Sequence, residues 1–343
     1  MRLGAHRGAA IDVLDLSTLC STGTFKDWVA CVTMARALGR GQRTVLAQSS
    51  GNTANALARY AAHVGVGCAI LYPPASRRRI QVALAGLPGV AFVEVDAPER
   101  RIKELLGEYA SASGIPAVPS LHDQYEANKL RAYLLADAAR ELGDRWDWHV
   151  QALSSGYGPL GFYRGIAEIQ RSSAVAAPPP RFLGIQQEAV APYAGAIAGA
   201  AGDGRAPMIE PTLFRRSLTT ALVDEMRRVC SETSGTVRCL SNRRYLELEP
   251  SAVAMLTAAG LTTTLAEDGT PRERAGLYSL AGALDAIDHR VIRTGDRVLV
   301  VYTGGAGRAS ASSFRPARVA TPGDAHAVLA EAVAAARAPH PAR

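Results

Sequence analysis

Between residues 43 and 114 the chain alternates short apolar runs with longer segments of helical spacing. "RTVLAQSS" (43–50), "CAILYP" (68–73) and "VAFVEVD" (90–96) read as strands. "NTANALARYAAHVG" (52–65), "SRRRIQVALAGLPG" (76–89) and "ERRIKELLGEYASASG" (99–114) read as helices, each ending at glycine. Strands that alternate with helices of this length form parallel sheets, because each helix must carry the chain back to the same edge. The second half repeats the habit. A long helix is expected over 125–143, a strand in "WDWHVQALSS" (146–155), a helix over 159–172, a strand in "RFLGIQQE" (181–188) and a late strand in "DRVLVVYTGG" (296–305). The stretch 189–250 is rich in Ala, Gly and Pro and shows no clear period, "VAAPPP" (175–180) reads as a loop, and a helix is expected after about 322.

A length of 343 residues suits about two domains. No apolar run is long enough to span a bilayer, and the N-terminus lacks the apolar core of a secretory signal. The net charge is +7. The arginines are scattered, without zinc-ligand spacing or interleaved aromatics, so neither nucleic acid nor a metal is expected as a partner. The five cysteines form no CxxC and are expected to be reduced thiols in a cytoplasm.

Ligands of open α/β sheets gather at the carboxyl ends of strands, and three such ends carry unusual residues. "SSGNTANAL" (49–57) runs from a strand into a helix through hydroxyl and amide side chains; as a plain helix cap it would look the same. "SSGYGPLGFYRG" (154–165) offers glycines beside a helix start, suited either to an anion or to a tight turn. Its Gly156, Gly158 and Gly161 also satisfy GxGxxG, a weak dinucleotide signal, with Glu188 as the nearest strand-end acid. "VVYTGGAG" (300–307) delivers Thr303 to the end of a buried strand.

One further residue stands out. Among 38 basic residues only Lys26, Lys103 and Lys129 are lysines. Arginine serves as well as lysine for surface charge but cannot form a Schiff base. Lys103 and Lys129 lie on polar helices, whereas Lys26 sits in "STGTFKDW" at a helix start, where a cation is electrostatically disfavoured. That mismatch points to a primary amine kept for chemistry.

Taken in order, "STGTFKD", "SSGNT", "SSGYGPLG" and "YTGG" resemble the motifs of fold-type II pyridoxal-phosphate enzymes, over about residues 16–310. The resemblance is to the threonine synthase and cysteate synthase branch, within the tryptophan synthase β superfamily. It implies two open parallel-sheet α/β domains, helices on both faces, with the cofactor in the cleft between them. The large domain would comprise 1–29 and 131–330, the small domain 30–130, and 331–343 a tail. It implies pyridoxal 5'-phosphate as cofactor, with Lys26 as the catalytic Schiff-base lysine and Asn52 at the ring hydroxyl. Ser155, Gly156, Tyr157, Gly158 and Leu160 would hold the phosphate, and Thr303 the pyridine nitrogen. Pro159 offers no N–H, and the Leu160 N–H stands in for it. Ser50, Gly51 and Thr53 would bind the carboxylate of a small amino-acid substrate. A cytoplasmic homodimer, with no membrane or nucleic-acid partner, is implied as well. Only about 25 residues precede Lys26, fewer than is usual in the family, which leaves room for the customary strand before the lysine to be missing.

The expected activity is β-replacement on an O-phosphorylated amino acid such as O-phosphoserine, similar to cysteate synthase, because "TGGAG" and "LSNRR" (240–244) resemble its segments. Arginines at 77–79 or 243–244 would bind the leaving phosphate. The alternative is γ-replacement on O-phosphohomoserine, as in threonine synthase. From other classes, a nucleotide-dependent oxidoreductase leaves Lys26, Asn52 and Thr303 unexplained, and a binding protein that has lost catalysis does not need Lys26.

Overall fold

A computed structural model describes the chain apart from residues 18–19, 50, 144, 173–177, 262–270, 272–273, 305–315 and 338–343. It divides into two compact units, Met1–Leu19 with Asn128–Ala306, and Cys20–Ala127 with Gly307–Arg343.

The first unit begins with strands β1 (Arg2–His6) and β2 (Ala9–Asp15). The second unit follows with helix α1 (Lys26–Gly39), β3 (Thr44–Gln48), α2 (Asn52–Val64) and β4 (Gly67–Tyr72). A 3₁₀ turn (Pro74–Arg79) and short α3 (Val82–Ala85) lead to β5 (Val90–Val95), α4 (Glu99–Ser113) and β6 (Ala117–Val118). Helix α5 (Leu121–Leu142) runs through the boundary of the units. The first unit continues with β7 (Trp148–Ala152), α6 (Tyr157–Ser172), β8 (Arg181–Gln187) and α7 (Pro192–Ala198). Then come α8 (Thr220–Thr233), β9 (Thr236–Leu240), α9 (Asn242–Ala258), α10 (Ala275–Asp288) and β10 (Arg297–Tyr302). Strand β11 (Arg318–Ala320) and helix α11 (Ala325–Arg337) return to the second unit.

The sheet of the first unit runs β1-β2-β10-β7-β8-β9, parallel except for the β1–β2 hairpin. Side chains alternate across it, as the strand period requires. Trp148 and Val150 face the core shared with α9 and α10, while the buried His149 packs against Phe162 of α6 and Phe182, ring centroids 4.3 and 5.8 Å away. The second sheet, β11-β5-β4-β3-β6, is parallel throughout. One face packs Val45, Ala47 and Ile70 on α1 and α2; the other packs Leu46, Leu71 and Val93 on α4 and α11. Both sheets are therefore open and covered on two faces, as expected.

Three expectations are corrected. The strand before the lysine is present: β2 lies parallel to β10, with Ile11 and Val13 in the core. Its seven residues alternate too weakly to stand out, and what fixes it is buried Asp12, which accepts from Trp146 Nε1 at 2.8 Å and Arg297 Nε at 2.6 Å, and pairs with Arg2. The helix expected over 76–89 is instead a 3₁₀ turn and one α turn. The backbone is drawn out of helix at Ile80 and Gln81, where Asn55 receives the Gln81 N–H and donates to Arg79 O. Finally, the lysine segment and residues beyond 306 belong with the second unit. Ala320, Ala325, Leu329 and Val333 find their apolar partners on that unit's sheet, so 331–337 is core-forming helix, not tail.

Candidate active site

In the second unit Lys26 is the first residue of α1, after a loop held by Asp27. The buried Asp27 carboxylate accepts from Ser21 Oγ at 2.8 Å, from the Thr22 N–H at 3.0 Å and from the Thr22 hydroxyl. An acid in the first helical turn also suits the helix dipole that a lysine there opposes. The Lys26 N–H reaches Thr24 Oγ1 at 3.3 Å, and its Nζ lies 4.3 Å from the Phe25 ring centroid. The backbone around the amine is fixed by short polar side chains, and the lysine itself is half-buried.

The asparagine segment joins β3 to α2. Ser49 Oγ caps the helix by accepting the Ala54 N–H at 3.0 Å, leaving Gly51, Asn52 and Thr53 at the turn itself. Ser50 lies outside the described residues. Two residues that sequence reasoning missed, Asn55 and Gln81, tie this turn to the lysine loop. Asn55 clamps the 79–81 backbone onto α2, and Gln81 Nε2 donates to Thr22 O at 3.0 Å. Arg79 is thereby laid against Gly51, where a Cβ would lie 3.4 Å from its Cδ. A short asparagine inside a helix and a glutamine in an expected helix gave no local signal of this bridge.

The candidate anion-binding arginines are sorted by their partners. Arg77 donates to Glu94 from Nε at 2.8 Å and from Nη2 at 2.5 Å. Arg243 pairs with Glu247 on an exposed helix face, and Arg244 is bound to Asp285, Asp288 and Glu247. Arg77 and Arg244 are thus held by largely buried carboxylates, while the Arg243 pair lies on the surface.

In the first unit, β7 leads through Ser154 and Ser155 into α6. Gly156 has φ of 84°, a left-handed conformation natural to glycine, and a Cβ there would meet the Tyr193 hydroxyl at 2.5 Å. Tyr193 OH donates to Ser155 O at 2.9 Å, and Gln186 Oε1 in turn accepts the N–H groups of Tyr193 and Ala194 at 2.8 and 3.0 Å. The loop is thus braced from β8 through α7. One expectation fails here: the Leu160 N–H already donates to Gly156 O at 3.1 Å, the first bond of the helix, and is not open to a phosphate. Pro159 has no donor either, so neither residue offers a free N–H at this helix start.

Thr303 follows β10 directly and is buried. Buried Gln48 Nε2, at the end of β3, lacks a hydrogen-bond partner among the described residues, and such an unmet polar atom at a strand end is what a polar ligand would satisfy. Glu188, the acid that a dinucleotide site would need, accepts the Asn242 N–H at 2.8 Å and so caps α9. It also lines a cavity of about 330 Å³ at the carboxyl end of β8, with Val190, Pro192, Gly202 and Arg216, in the stretch that the sequence left unplaced.

The family described as pyridoxal-phosphate dependent enzyme matches residues 2–304, and the chain belongs to it. Threonine synthase of Mycobacterium tuberculosis is 28% identical over 295 residues, covering 85% of this chain and 75% of its own. That of Mycobacterium leprae is 28% identical over 307 residues, 88% and 78%. Maize serine racemase superposes with a TM-score of 0.67 at 17% identity, over 90% of this chain and 88% of that one. Diaminopropionate ammonia lyase from Escherichia coli, in complex with an aminoacrylate-pyridoxal-phosphate intermediate, gives 0.65 at 16%, over 87% and 81%. These two structures share the fold. The chain is thus a pyridoxal-phosphate-dependent enzyme of the group that eliminates or replaces substituents on amino acids.

Proposed function

We propose that the enzyme acts on an O-phosphorylated amino acid and releases inorganic phosphate, with γ-replacement on O-phosphohomoserine as its main reaction. The carrying observation is the Arg79 stem laid against Gly51, which brings a basic side chain to the turn assigned to the substrate carboxylate. The threonine synthase relatives favour the γ-reaction over β-replacement on O-phosphoserine, and the ion pairs of Arg244 weaken the cysteate-synthase argument.

In this reading Lys26 takes the cofactor aldehyde and Asn52 the ring hydroxyl. Ser155, Gly156, Tyr157 and Gly158 take the phosphate, and Thr303 takes the pyridine nitrogen. The cofactor, when bound, withdraws electrons from the substrate Cα and so permits loss of a β or γ substituent. The amine of Lys26 is the base that removes and returns protons at Cα and beyond. Ser50, Gly51 and Thr53 orient the carboxylate, and Arg79 receives the phosphate as it leaves. Thr303 offers the nitrogen a neutral hydroxyl, where a carboxylate would hold a proton; this favours prompt departure of the leaving group over racemisation. A homodimer in a cytoplasm belongs to the same reading, in keeping with five cysteines that form no disulfide. Among the described residues no helix is long and apolar enough to cross a membrane.

The test is phosphate release from O-phosphohomoserine with water, from O-phosphoserine with sulfite, and turnover of O-acetylserine. Threonine from the first is expected. Cysteate from the second alone would reinstate β-replacement, and turnover of O-acetylserine alone would remove the phosphate from the reading altogether.

A further inference from the structure

Arg131, on α5, is the largest fully buried side chain among the described residues, 1% exposed. Guanidinium groups are rarely buried, because removing the cation from water is costly. Its Nη1 donates to Gln151 Oε1 of β7 at 3.1 Å. Both groups lie directly under the first turn of α6: a Cβ on Gly158 would come 2.7 Å from Gln151 Nε2 and 3.1 Å from Arg131 Nη2. Only a residue without a side chain lets the helix start rest this closely on the guanidinium. Burial pulls Arg131 down to about 9, which leaves it cationic at neutral pH. With burial, its charge helps hold neighbouring His149 well below the ordinary histidine value. The start of a sixteen-residue helix already carries partial positive charge. A cation set beneath it adds to that positive field and favours an anion bound above.

We propose that Arg131 is a buried counter-charge for the phosphate bound at the start of α6, a positioning residue that makes the site prefer the phosphorylated cofactor. It acts through the backbone of Gly158 and through its field, which a dry surrounding screens little. The inference rests on the reading that the cofactor phosphate lies at this turn.

The experiment compares the affinities of the full-length apo-protein for pyridoxal phosphate and for pyridoxal, which lacks the phosphate. Arg131→Met keeps the bulk and removes the charge. It is expected to weaken pyridoxal phosphate by about tenfold or more while changing pyridoxal by less than about threefold. Arg131→Lys is expected to restore most of the preference. If Arg131→Met does not fold, Arg131→Gln carries the same comparison. Equal losses for both ligands, or no loss, would overturn the role of Arg131. Gly158→Ala separates this from failure of the phosphate assignment. If Gly158→Ala lowers the preference and the neutral Arg131 variants do not, only the buried counter-charge falls. If none of them lowers it, the phosphate assignment falls as well.

Discussion

At the scale of single residues, the lysine loop and the asparagine turn work as one piece because Gln81 and Asn55 join them. Lys26 is the group that arginine cannot replace. Borohydride treatment with added cofactor should leave a pyridoxyl group on the Lys26 peptide, seen by mass spectrometry, and on neither Lys26→Ala nor Lys26→Arg. Arg79→Gln should raise KM for the phosphorylated substrate by about tenfold to a hundredfold while the visible spectrum of the bound cofactor stays unchanged. The lysine was legible in the sequence because its type was rare and its position electrostatically odd. Asn55 and Gln81 were not, since their roles come from contacts between segments 24 to 59 residues apart that no local pattern encodes.

At the scale of elements, the strands buried on both faces and the helices beside them were legible, because β3, β4, β5 and β10 are continuous apolar runs. Strand β2 was not, as its position depends on Asp12 and the distant β10. The 76–89 segment has helical composition, but bonds to Asn55 and Glu94 outweigh that weak preference. Helix α10 illustrates how packing sets a site residue. Gly276 lets it rest on the Tyr302 ring, where a Cβ would approach to 2.3 Å, and Thr303 is the next residue. Gly276→Ala should cost about 1–3 kcal/mol in thermal melting, because an aromatic ring on a buried strand has little room to shift. It should also weaken cofactor binding through displacement of Thr303.

At the scale of the whole molecule, Asp12 links β2 to β1, to β10 and to the segment entering β7. Burial alone would raise its carboxyl, but bonds from Arg297, Trp146 and Arg2 outweigh this and hold it below the ordinary carboxylate value. A group depressed in the folded state adds stability above its unfolded pKa, near 4, and loses it as pH falls through the folded value. Asp12→Asn should therefore melt lower than the parent at pH 7, and the difference should shrink on acidification from about pH 5 towards 2.

The two-part make-up was legible, but the route of the chain's last segment was not, because an Ala-rich helix carries no label for the sheet it will cover. That route has a consequence for how the protein is made. The second unit is begun early, at Cys20, yet its outermost strand and one of its covering helices are residues 318–337. A ribosome completes every residue of the first unit before it delivers them. Until then β5 presents an unpaired edge, and Leu71 and Val93 lack part of their cover. The nascent chain therefore carries an open strand edge while the first unit is being completed, and a protease that removes residues 318–337 leaves that edge open again.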